Sequence, residues 1–274
     1  MNEILKEYIG DVDLTNYKYM RIDFGDEKSG PGLFDQTFQI GLYLKIAYEL
    51  GLILILPKRN LEERHNAGKR IPMKFSDYYD INSIKLDGNL IKVIENEQNL
   101  KSNEVLELDS LKRSPHNNIR QINKQFNYSV EFVSCIQDVK FAKKFVEENK
   151  IEGCVHIRRA GKCSTGDVNM GVSGPDWELA TRADNVLAVL NSTNAPRNIY
   201  IMTDMPPDDP IIEELRNQKK YNFMFLYDFP QLVSVKKQNN YKVFNMECCI
   251  GKFVEYKKVK TEIIRFWMKN NTKR

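Results

Sequence analysis

A histidine and two adjacent arginines follow a short apolar run, and these residue types are the strongest candidates for chemistry in the sequence. In the stretch GCVHIRRAGK, residues 153–162, His156, Arg158 and Arg159 come at the end of a predicted strand. A guanidinium is a planar fork of donors that stays charged at any working pH and suits phosphate oxygens. The glycine-containing turn that follows exposes backbone N–H groups, which help to bind anions. The pattern indicates a diphosphate site.

A second interpretation of the same arginines needs no ligand. The pair could be neutralised by local carboxylates such as Asp167 or Asp176. Alternation along the strand puts His156 and Arg158 on one side and Arg159 on the other. Residue chemistry alone weighs the two interpretations about evenly, so both stay open at this point.

The segment SGPGLFDQ, residues 29–36, is the second candidate. Glycines immediately before a predicted helix let a ligand approach the backbone, and a helix N-terminus favours an anion. The segment has neither the Gly-Lys-Ser/Thr of a Walker A loop nor a GxGxxG pattern. Asp35 lies at the helix start, where it either caps the helix or acts as a general base facing a cleft.

The third candidate is TDMPPDD, residues 203–209. Thr203 and Asp204 end a predicted strand at the same sheet edge as Arg158, because the carboxyl ends of parallel strands share an edge. They could hold a ribose or a base, or they could be turn formers. The adjacent Asp208 and Asp209 resemble a metal-binding pair, but we assign them to helix capping.

Composition excludes several classes of protein. The chain has 274 residues, 42% of them hydrophobic, which is enough for a large core in one or two domains. A net charge of +4 is too small an excess to predict nucleic-acid binding. Five cysteines without metal-ligand spacing and three distant histidines argue against a metal site and favour a reducing compartment. No apolar stretch is long enough to span a membrane, and the N-terminus lacks a signal-peptide pattern.

Alternating strand and helix patterns must position these candidates. Apolar residues recur at helical steps in residues 34–50, with one buried stripe, and Gly51 ends that helix. We expect parallel sheets covered on both faces, irregular structure over 58–135, and Asp176 as the N-cap of its helix. The predicted strands are 18–24, 52–57, 152–157, 197–204, 221–228 and 252–256, and the predicted helices are 34–50, 139–150, 176–192, 208–218, 241–251 and 258–270.

Several motifs, in the right order along the chain, resemble one superfamily. The stretch 153–162 resembles the His-x-Arg-Arg motif of the GDP-fucose fucosyltransferases, which include core α1,6-, nodulation and protein O-fucosyltransferases. Residues 30–57 resemble that family's Gly-rich loop, helix and apolar strand, and residues 198–216 resemble its Val-Tyr-x-Ala-Thr-Asp strand and following helix. Residues 239–256 are loosely similar to the segment before its last phosphate-binding turn.

The resemblance implies a GT-B fold, in which two Rossmann-like domains face each other across a cleft. We therefore expect an acceptor-side domain over residues 1–145 and a nucleotide-sugar domain over residues 146–274. It also implies inversion at the sugar carbon, no cofactor and no required metal.

The resemblance further assigns residues to roles. Arg158 would clamp the β-phosphate, with His156 near the sugar or the diphosphate. Asp35 stands where some relatives carry asparagine, and its carboxylate could take the proton from an acceptor hydroxyl. Thr203 and Asp204 would approach the nucleoside. The remaining expected substrate-binding residues are Arg159, Lys162, Gly32, Phe34, Gln36 and Glu247.

Two departures from the family pattern leave the donor open. The aspartate that many relatives carry after the arginines is absent from Ala160-Gly161-Lys162, although Lys162 matches a lysine of the core and nodulation enzymes. The family's Ser/Thr-rich turn, which holds the β-phosphate, is replaced by EYKKVKTEII, residues 255–264, with lysines and Thr261. Another nucleotide sugar, such as a UDP- or GDP-linked pentose or deoxyhexose, is an alternative.

The leading hypothesis is therefore a glycosyltransferase that moves a sugar, most readily L-fucose from GDP-fucose, to a glycan or other hydroxyl acceptor. The alternatives are a nucleotide-sugar-binding protein that has lost catalysis and a basic RNA-interacting α/β protein supported only by the lysine-rich C-terminal end. We expect no nucleic-acid partner, no membrane span and a cytoplasmic location, as a bacterial or viral enzyme or a trimmed form of a secretory-pathway protein.

Overall fold

The chain divides into two units, each built around its own parallel sheet. A computed structural model describes residues 5, 9–23, 33–56, 59–61, 71–95, 100–109, 126–159 and 161–271. The first unit comprises Met1–Ile136 with Asn239–Lys242, and the second comprises Gln137–Gln238 with Val243–Arg274. The boundary expected between residues 145 and 146 falls inside the helix Ile136–Glu148. All of that helix after Ile136 belongs to the second unit.

The first unit contains one long helix and several short strands. Its helix is α1 (Leu33–Glu49). Its strands are β1 (Tyr19–Asp23), β2 (Ile53–Ile55), β3 (Arg59–Leu61), β4 (Ile71–Met73), β5 (Lys85–Leu86), β6 (Asn89–Leu90), β7 (Val93–Ile94), β8 (Val105–Asp109) and β9 (Val130–Glu131). The main sheet has the order β7-β2-β1-β8 with every pair parallel. Strands β3–β4 and β6–β5–β9 form two small antiparallel sheets.

Helix α1 is confirmed, but the prediction that it buries a single stripe is wrong. Every residue from 40 to 47 is buried, whereas Phe38, which the apolar spacing assigns to the buried stripe, is 59% exposed. The helix is covered on a second side, where Gly41 lies against Phe132 and Val130. Gly51 has a φ of 69°, a left-handed conformation that glycine adopts at little cost, and it ends the helix as predicted.

Strand β8 corrects the expectation of irregular structure over residues 58–135. It pairs with β1 along its full length, from Tyr19↔Val105 to Asp23↔Asp109. The segment VLELD does alternate, with Leu106 and Leu108 buried and Glu107 exposed. Its five residues stand in a polar region, so their pattern was too short to predict a strand of the main sheet.

The second unit alternates strands and helices. Its helices are α2 (Ile136–Glu148), α3 (Lys162–Thr165), α4 (Gly174–Ala180), α5 (Ala183–Ser192), α6 (Pro210–Arg216), α7 (Pro230–Gln238), α8 (Asn240–Ile250) and α9 (Lys260–Asn271). Its strands are β10 (Gly153–Ile157), β11 (Asn198–Thr203), β12 (Asn222–Phe225) and β13 (Tyr256–Lys258). The sheet has the order β12-β11-β10-β13, and every pair is parallel.

This sheet is covered on both faces, as expected. Val155 and Ile157 of β10 pack in one cluster with α5, α6 and Ile263 of α9. Cys154 points to the other face and packs in a cluster with α2, α7 and α8. Because alternate residues of a strand face opposite sides, both faces of β10 are apolar and the strand reads as a continuous apolar run.

Four details of the second unit differ from the sequence prediction. The helix expected over 176–192 is two helices, α4 and α5, and its N-cap is Ser173 rather than Asp176. The Ser173 hydroxyl oxygen accepts from the Asp176 backbone N–H at 3.2 Å. Helix α7 was not predicted, because its PQLVSVKKQ pattern is weakly amphipathic. The last strand lies at 256–258, not 252–256.

Both units have the same strand order. Numbered along the chain within each unit, both main sheets run 3-2-1-4, which is the order of the first four strands of the classic Rossmann sheet. The expected class of two Rossmann-like α/β units is therefore confirmed. None of the helices within the described ranges is long and apolar enough to cross a membrane.

Glu247 lies in the core of the second unit and not at the sheet edge where a substrate would bind. It is only 3% exposed, on α8, and the Tyr200 hydroxyl donates to it at 2.8 Å. Burial raises the pKa of Glu247 to about 7, against the opposing effect of the Tyr200 hydrogen bond. The expected substrate-binding position of Glu247 is thus corrected.

Replacing Gly174 by alanine should destabilise the fold. An alanine Cβ would lie 2.4 Å from the Cys163 carbonyl oxygen, which belongs to the backbone and cannot rotate away. We expect Gly174→Ala to lower the free energy of unfolding by about 1–3 kcal/mol, measured by urea denaturation. The control is Gly251→Ala, where the nearest atom is at 3.5 Å and we expect a change within about 0.5 kcal/mol. Equal midpoints for the two variants would contradict the packing argument.

The buried Glu247 should make stability depend on pH. Its folded pKa of about 7 exceeds the ordinary value of 4.5, so the folded state holds the proton more tightly. Its contribution to the free energy of unfolding is therefore fully present below pH 4.5 and is lost as the pH rises through about 7. We expect Glu247→Gln to remove this loss, so that the variant gains stability over the wild type between pH 5 and pH 8 in urea titrations. A difference that stays flat across that range would show that Glu247 does not titrate there.

Candidate functional site

The candidate site lies at the carboxyl edge of the second unit's sheet. In a sheet of order 3-2-1-4 the strand order reverses between the first and fourth strands, here β10 and β13, and ligands bind in the crevice at that point. β10 ends at Ile157 and β13 ends at Lys258. Arg158 therefore leaves the sheet on one side of this crevice, and Lys260 begins α9 on the other.

The peptide group between Arg158 and Arg159 is fixed by two hydrogen bonds, one to its carbonyl oxygen and one from its N–H. The indole N–H of Trp177, which is completely buried, donates to the Arg158 carbonyl oxygen at 2.7 Å. The N–H of Arg159 donates to Oδ1 of Asp204 at 2.7 Å. The Arg158 side chain remains 43% exposed, with its Nε 3.9 Å from Oδ2 of Asp204. The residue thus has an anchored backbone and an open guanidinium.

The Arg159 side chain turns into the protein instead. It is 13% exposed, and its Nη1 donates to the Glu178 carbonyl oxygen at 3.2 Å and to Oγ1 of Thr181 at 2.8 Å. Its Nη2 also lies 3.8 Å from the Glu178 carboxylate. This guanidinium braces the junction of α4 and α5, which corrects its expected place beside a substrate.

The acids named in the ligand-free interpretation do not pair with the arginines. Asp167 lies 3.1 Å from the Lys162 ammonium, and Asp176 accepts from the Ser173 hydroxyl at 2.6 Å. Among the described residues, the one carboxylate within 4.0 Å of the Arg158 guanidinium is that of Asp204, at 3.9 Å. Local neutralisation therefore describes Arg159, through Glu178, but leaves Arg158 largely uncompensated.

His156 is placed to act as a neutral group. It is half-buried on β10, with its ring 6.1 Å from that of Phe244. Burial, followed by the charge of Lys260, lowers the pKa of His156 to about 4. At neutral pH the imidazole can donate or accept a hydrogen bond, but it carries no positive charge.

Lys162 lies near the site with its charge already engaged. Its ammonium donates to the Gly166 carbonyl oxygen and to Oδ2 of Asp167, both at 3.1 Å, and lies 5.7 Å from the centre of the Trp177 ring. The hydrogen bond from Lys162 lowers the pKa of Asp167. Lys162 therefore contributes to the field at the sheet edge, while its donors are directed to the α3 turn.

The residues at the end of β11 are turn formers and positioning groups. Oγ1 of Thr203 accepts from the Met205 N–H at 3.2 Å. Asp204 holds the backbone after Arg158, as described above. Asp209 accepts from the Ile211 N–H at 3.0 Å and is the N-cap of α6, which confirms the capping assignment. Within the described ranges, no group of three His, Cys, Asp or Glu side chains could hold a metal ion.

The candidates of the first unit are only partly described. Gly32 lies outside the described residues, and Phe34 and Asp35 are described only as backbone of α1. Because α1 begins at Leu33, Asp35 is its third residue and not its N-cap. Gln36 is 1% exposed, within the unit's core.

Two residues of the site were not predicted, Trp177 and Lys260. Lys260 is half-buried, and burial lowers its pKa, followed by the charges of Arg158 and Lys162. The signal that could have found it was the lysine-rich replacement of the Ser/Thr turn. Nothing in the local sequence predicts that the Trp177 indole reaches Arg158, since that contact depends on how α4 packs against the sheet edge.

Comparison with known proteins gives a structural match only. No protein-family model matches the chain, and no curated protein matches it. The structure of POFUT1 in complex with GDP superposes with a TM-score of 0.54 at 10% identity, covering 92% of this chain and 94% of that one. POFUT1 in complex with GDP-fucose gives 0.51 at 11% identity, covering 91% and 98%.

A third solved structure, NodZ alpha-1,6-fucosyltransferase soaked with GDP-fucose, gives a TM-score of 0.46 at 11% identity and covers 91% and 92%. The two POFUT1 superpositions span nearly the full length of both chains at very low identity. The chain therefore shares the GT-B fold of these POFUT1 structures.

Proposed function

We propose that the protein is an inverting, metal-independent glycosyltransferase whose donor is a nucleotide sugar, with GDP-fucose the best-supported donor. The observation that carries the proposal is Arg158, whose backbone is anchored while its guanidinium stays open at the strand-order reversal. The full-length likeness to POFUT1 structures that hold GDP and GDP-fucose supports the choice of donor.

Arg158 would act on the leaving group. As the bond between the sugar carbon and the diphosphate breaks, negative charge develops on the diphosphate. A fixed guanidinium stabilises that charge more in the transition state than in the bound donor, and this difference accelerates the reaction. In this proposal, Arg158 supplies the positive charge that a divalent ion supplies in metal-dependent transferases. The neutral His156 would donate a hydrogen bond to the sugar or the diphosphate.

The acceptor hydroxyl must lose a proton as its oxygen attacks the sugar carbon from the opposite face. We propose Asp35 as the general base that takes this proton, because a carboxylate stands there in place of the asparagine of some relatives. Thr203 and Asp204 would border the nucleoside, with a glycan or other hydroxyl compound as acceptor. The five cysteines are unpaired, which supports a reducing compartment such as the cytoplasm.

A second candidate function is nucleotide-sugar binding without transfer. It is favoured by one observation, the lysine-rich segment that replaces the family's Ser/Thr-rich turn. Calorimetry with GDP-fucose and with UDP-sugars, followed by assays for hydrolysis and for transfer to a broad acceptor panel, separates the two functions. Binding without hydrolysis or transfer would favour this candidate.

Replacing Arg158 should abolish transfer without unfolding the protein. We expect Arg158→Gln to lower the rate of transfer from GDP-fucose by roughly 100-fold or more, because a transition-state charge loses its partner. The matched control is Arg265→Gln on the exposed face of α9, which should leave the rate unchanged. Circular dichroism checks the fold of both variants. A folded Arg158→Gln protein with wild-type turnover would remove Arg158 from the mechanism.

Removing the indole N–H of Trp177 should loosen Arg158. We expect Trp177→Phe to weaken GDP binding several-fold while guanosine binding stays the same, since only the diphosphate meets Arg158. Trp267→Phe is the control, because Trp267 packs in the same apolar cluster and is the only other tryptophan. Titration calorimetry on the folded variants measures both affinities. If the two variants lose GDP affinity equally, the hydrogen bond to Arg158 has no special role.

A further inference from the structure

We propose that Lys260 is a second phosphate-binding cation, so that the donor's diphosphate is held between Arg158 and Lys260. In this chain an ammonium at the start of α9 would take the place that the resembled enzymes give to a Ser/Thr-rich turn. The inference rests on the proposed function, and it names a residue that determines how tightly, and through what chemistry, the donor is held.

The strand register places the two cations on opposite sides of the crevice. Strands β10 and β13 are parallel neighbours, and their last paired residues are Val155 and Lys258. Ile157 and Lys260 each come two residues later along their own strand direction. Since paired strands lie roughly 4.8 Å apart, the residues that follow them leave the sheet close together. Arg158 and Lys260 therefore flank the point where the strand order reverses.

The carboxylates at the site do not compensate Lys260. Asp167 is engaged by Lys162 at 3.1 Å, and Asp204 is engaged by the Arg159 N–H at 2.7 Å. Among the described residues no carboxylate lies within 4.0 Å of the Lys260 ammonium. Glu262, on the first turn of α9, accepts instead from the Val259 N–H and from the Lys258 ammonium.

The cluster therefore carries unbalanced positive charge. Among the described residues, Arg158, Lys162 and Lys260 face Asp167 and Asp204, the acids that act on Lys260, so three cations meet two carboxylates. Burial and the two neighbouring cations disfavour the charged form of Lys260, which lowers its pKa. Like charges held together cost free energy that a bound anion would offset. The cluster is thus complementary to an anion.

The helix that begins at Lys260 adds to this preference. Helix α9 has twelve residues, from Lys260 to Asn271, and its N-terminal end points to the sheet edge. The N–H groups of a first helical turn carry partial positive charge and favour an anion. This feature supports the proposal but does not carry it, because the two cations on either side of the crevice specify a diphosphate.

The direct test measures affinity for GDP, GMP and guanosine by titration calorimetry. We expect Lys260→Gln to weaken GDP binding about tenfold or more, to weaken GMP binding less, and to leave guanosine binding unchanged. The control is Lys269→Gln, an exposed lysine on the same helix, which should bind all three as the wild type does. Lys260→Arg keeps the charge and should retain most of the GDP affinity.

The outcomes distinguish this inference from the proposed function. If Arg158→Gln loses GDP affinity and Lys260→Gln does not, Lys260 is not a phosphate ligand, and the proposed function stands. If neither variant loses GDP affinity, the inference on Lys260 fails, and the turnover of Arg158→Gln decides the proposed function. A loss by Lys260→Gln that is equal for GDP and guanosine would indicate a structural effect and would also overturn the inference.

Proton uptake gives an independent readout. The lowered pKa of Lys260 makes a larger share of the free side chain neutral at alkaline pH than in an ordinary lysine, and a bound diphosphate would favour its charged form. GDP binding at about pH 9 should therefore take up protons, seen as an apparent enthalpy that varies with the ionisation enthalpy of the buffer. The guanine base also loses a proton at alkaline pH, so we expect the uptake to be smaller in Lys260→Arg rather than absent, since arginine does not titrate in this range. Equal uptake by the two proteins, or none by the wild type, contradicts the proposal.

The charged groups facing Lys260 do not confuse this readout. His156, with a pKa of about 4, is neutral at that pH. The hydrogen bond from Lys162 lowers the pKa of the Asp167 carboxyl, so this group stays ionised. Arg158, Lys162 and Asp204 are the other charged groups that act on Lys260, and Lys260→Arg leaves all three in place, so the comparison isolates Lys260.

Discussion

The site depends on the backbone of Arg158 being held at a fixed place at the end of β10. A side chain at a strand end has no further strand pairing to define its direction, so its position must be set by contacts with other elements. Here it comes from a buried indole N–H on one side and a carboxylate of the next strand on the other. Each partner belongs to a different element, so α4, β10 and β11 must all be in place before the guanidinium is positioned. This requirement explains why polar groups converge at one edge of a sheet whose faces are otherwise apolar.

The sequence was sufficient to predict the elements whose pattern is local. GCVHI is a continuous apolar run, the helix of residues 33–49 is long and periodic, and the left-handed Gly51 ends that helix where its type suggests. The N-cap role of Asp209 is predictable because Asp209 directly precedes Pro210, a residue type that is common at the first position of a helix. Strand β8 was missed because its five residues stand in a polar region and its partner in the sheet is 86 positions away.

The site itself was only half predictable, for a physical reason. Two adjacent arginines have the same chemistry. Which side chain faces solvent and which turns into the protein depends on Thr181 and Glu178, which are distant in sequence. The same holds for Glu247, whose buried carboxylate meets Tyr200 from another element. Lys260 required knowledge of the strand order, because it approaches Arg158 only when β13 lies next to β10.

The four residues Asn239–Lys242 have a consequence for any attempt to divide the molecule. They belong to the first unit, although the chain on both sides of them belongs to the second. Asn239 donates to the Tyr78 hydroxyl at 2.8 Å, Tyr241 is part of the first unit's apolar cluster, and the Lys242 ammonium donates to the Asp77 carbonyl oxygen. A single cut between Ile136 and Gln137 would leave the N-terminal fragment without these contacts and the C-terminal fragment with an exposed tyrosine. Chimeras that exchange one half with a relative must therefore match this returning segment to the half that receives it.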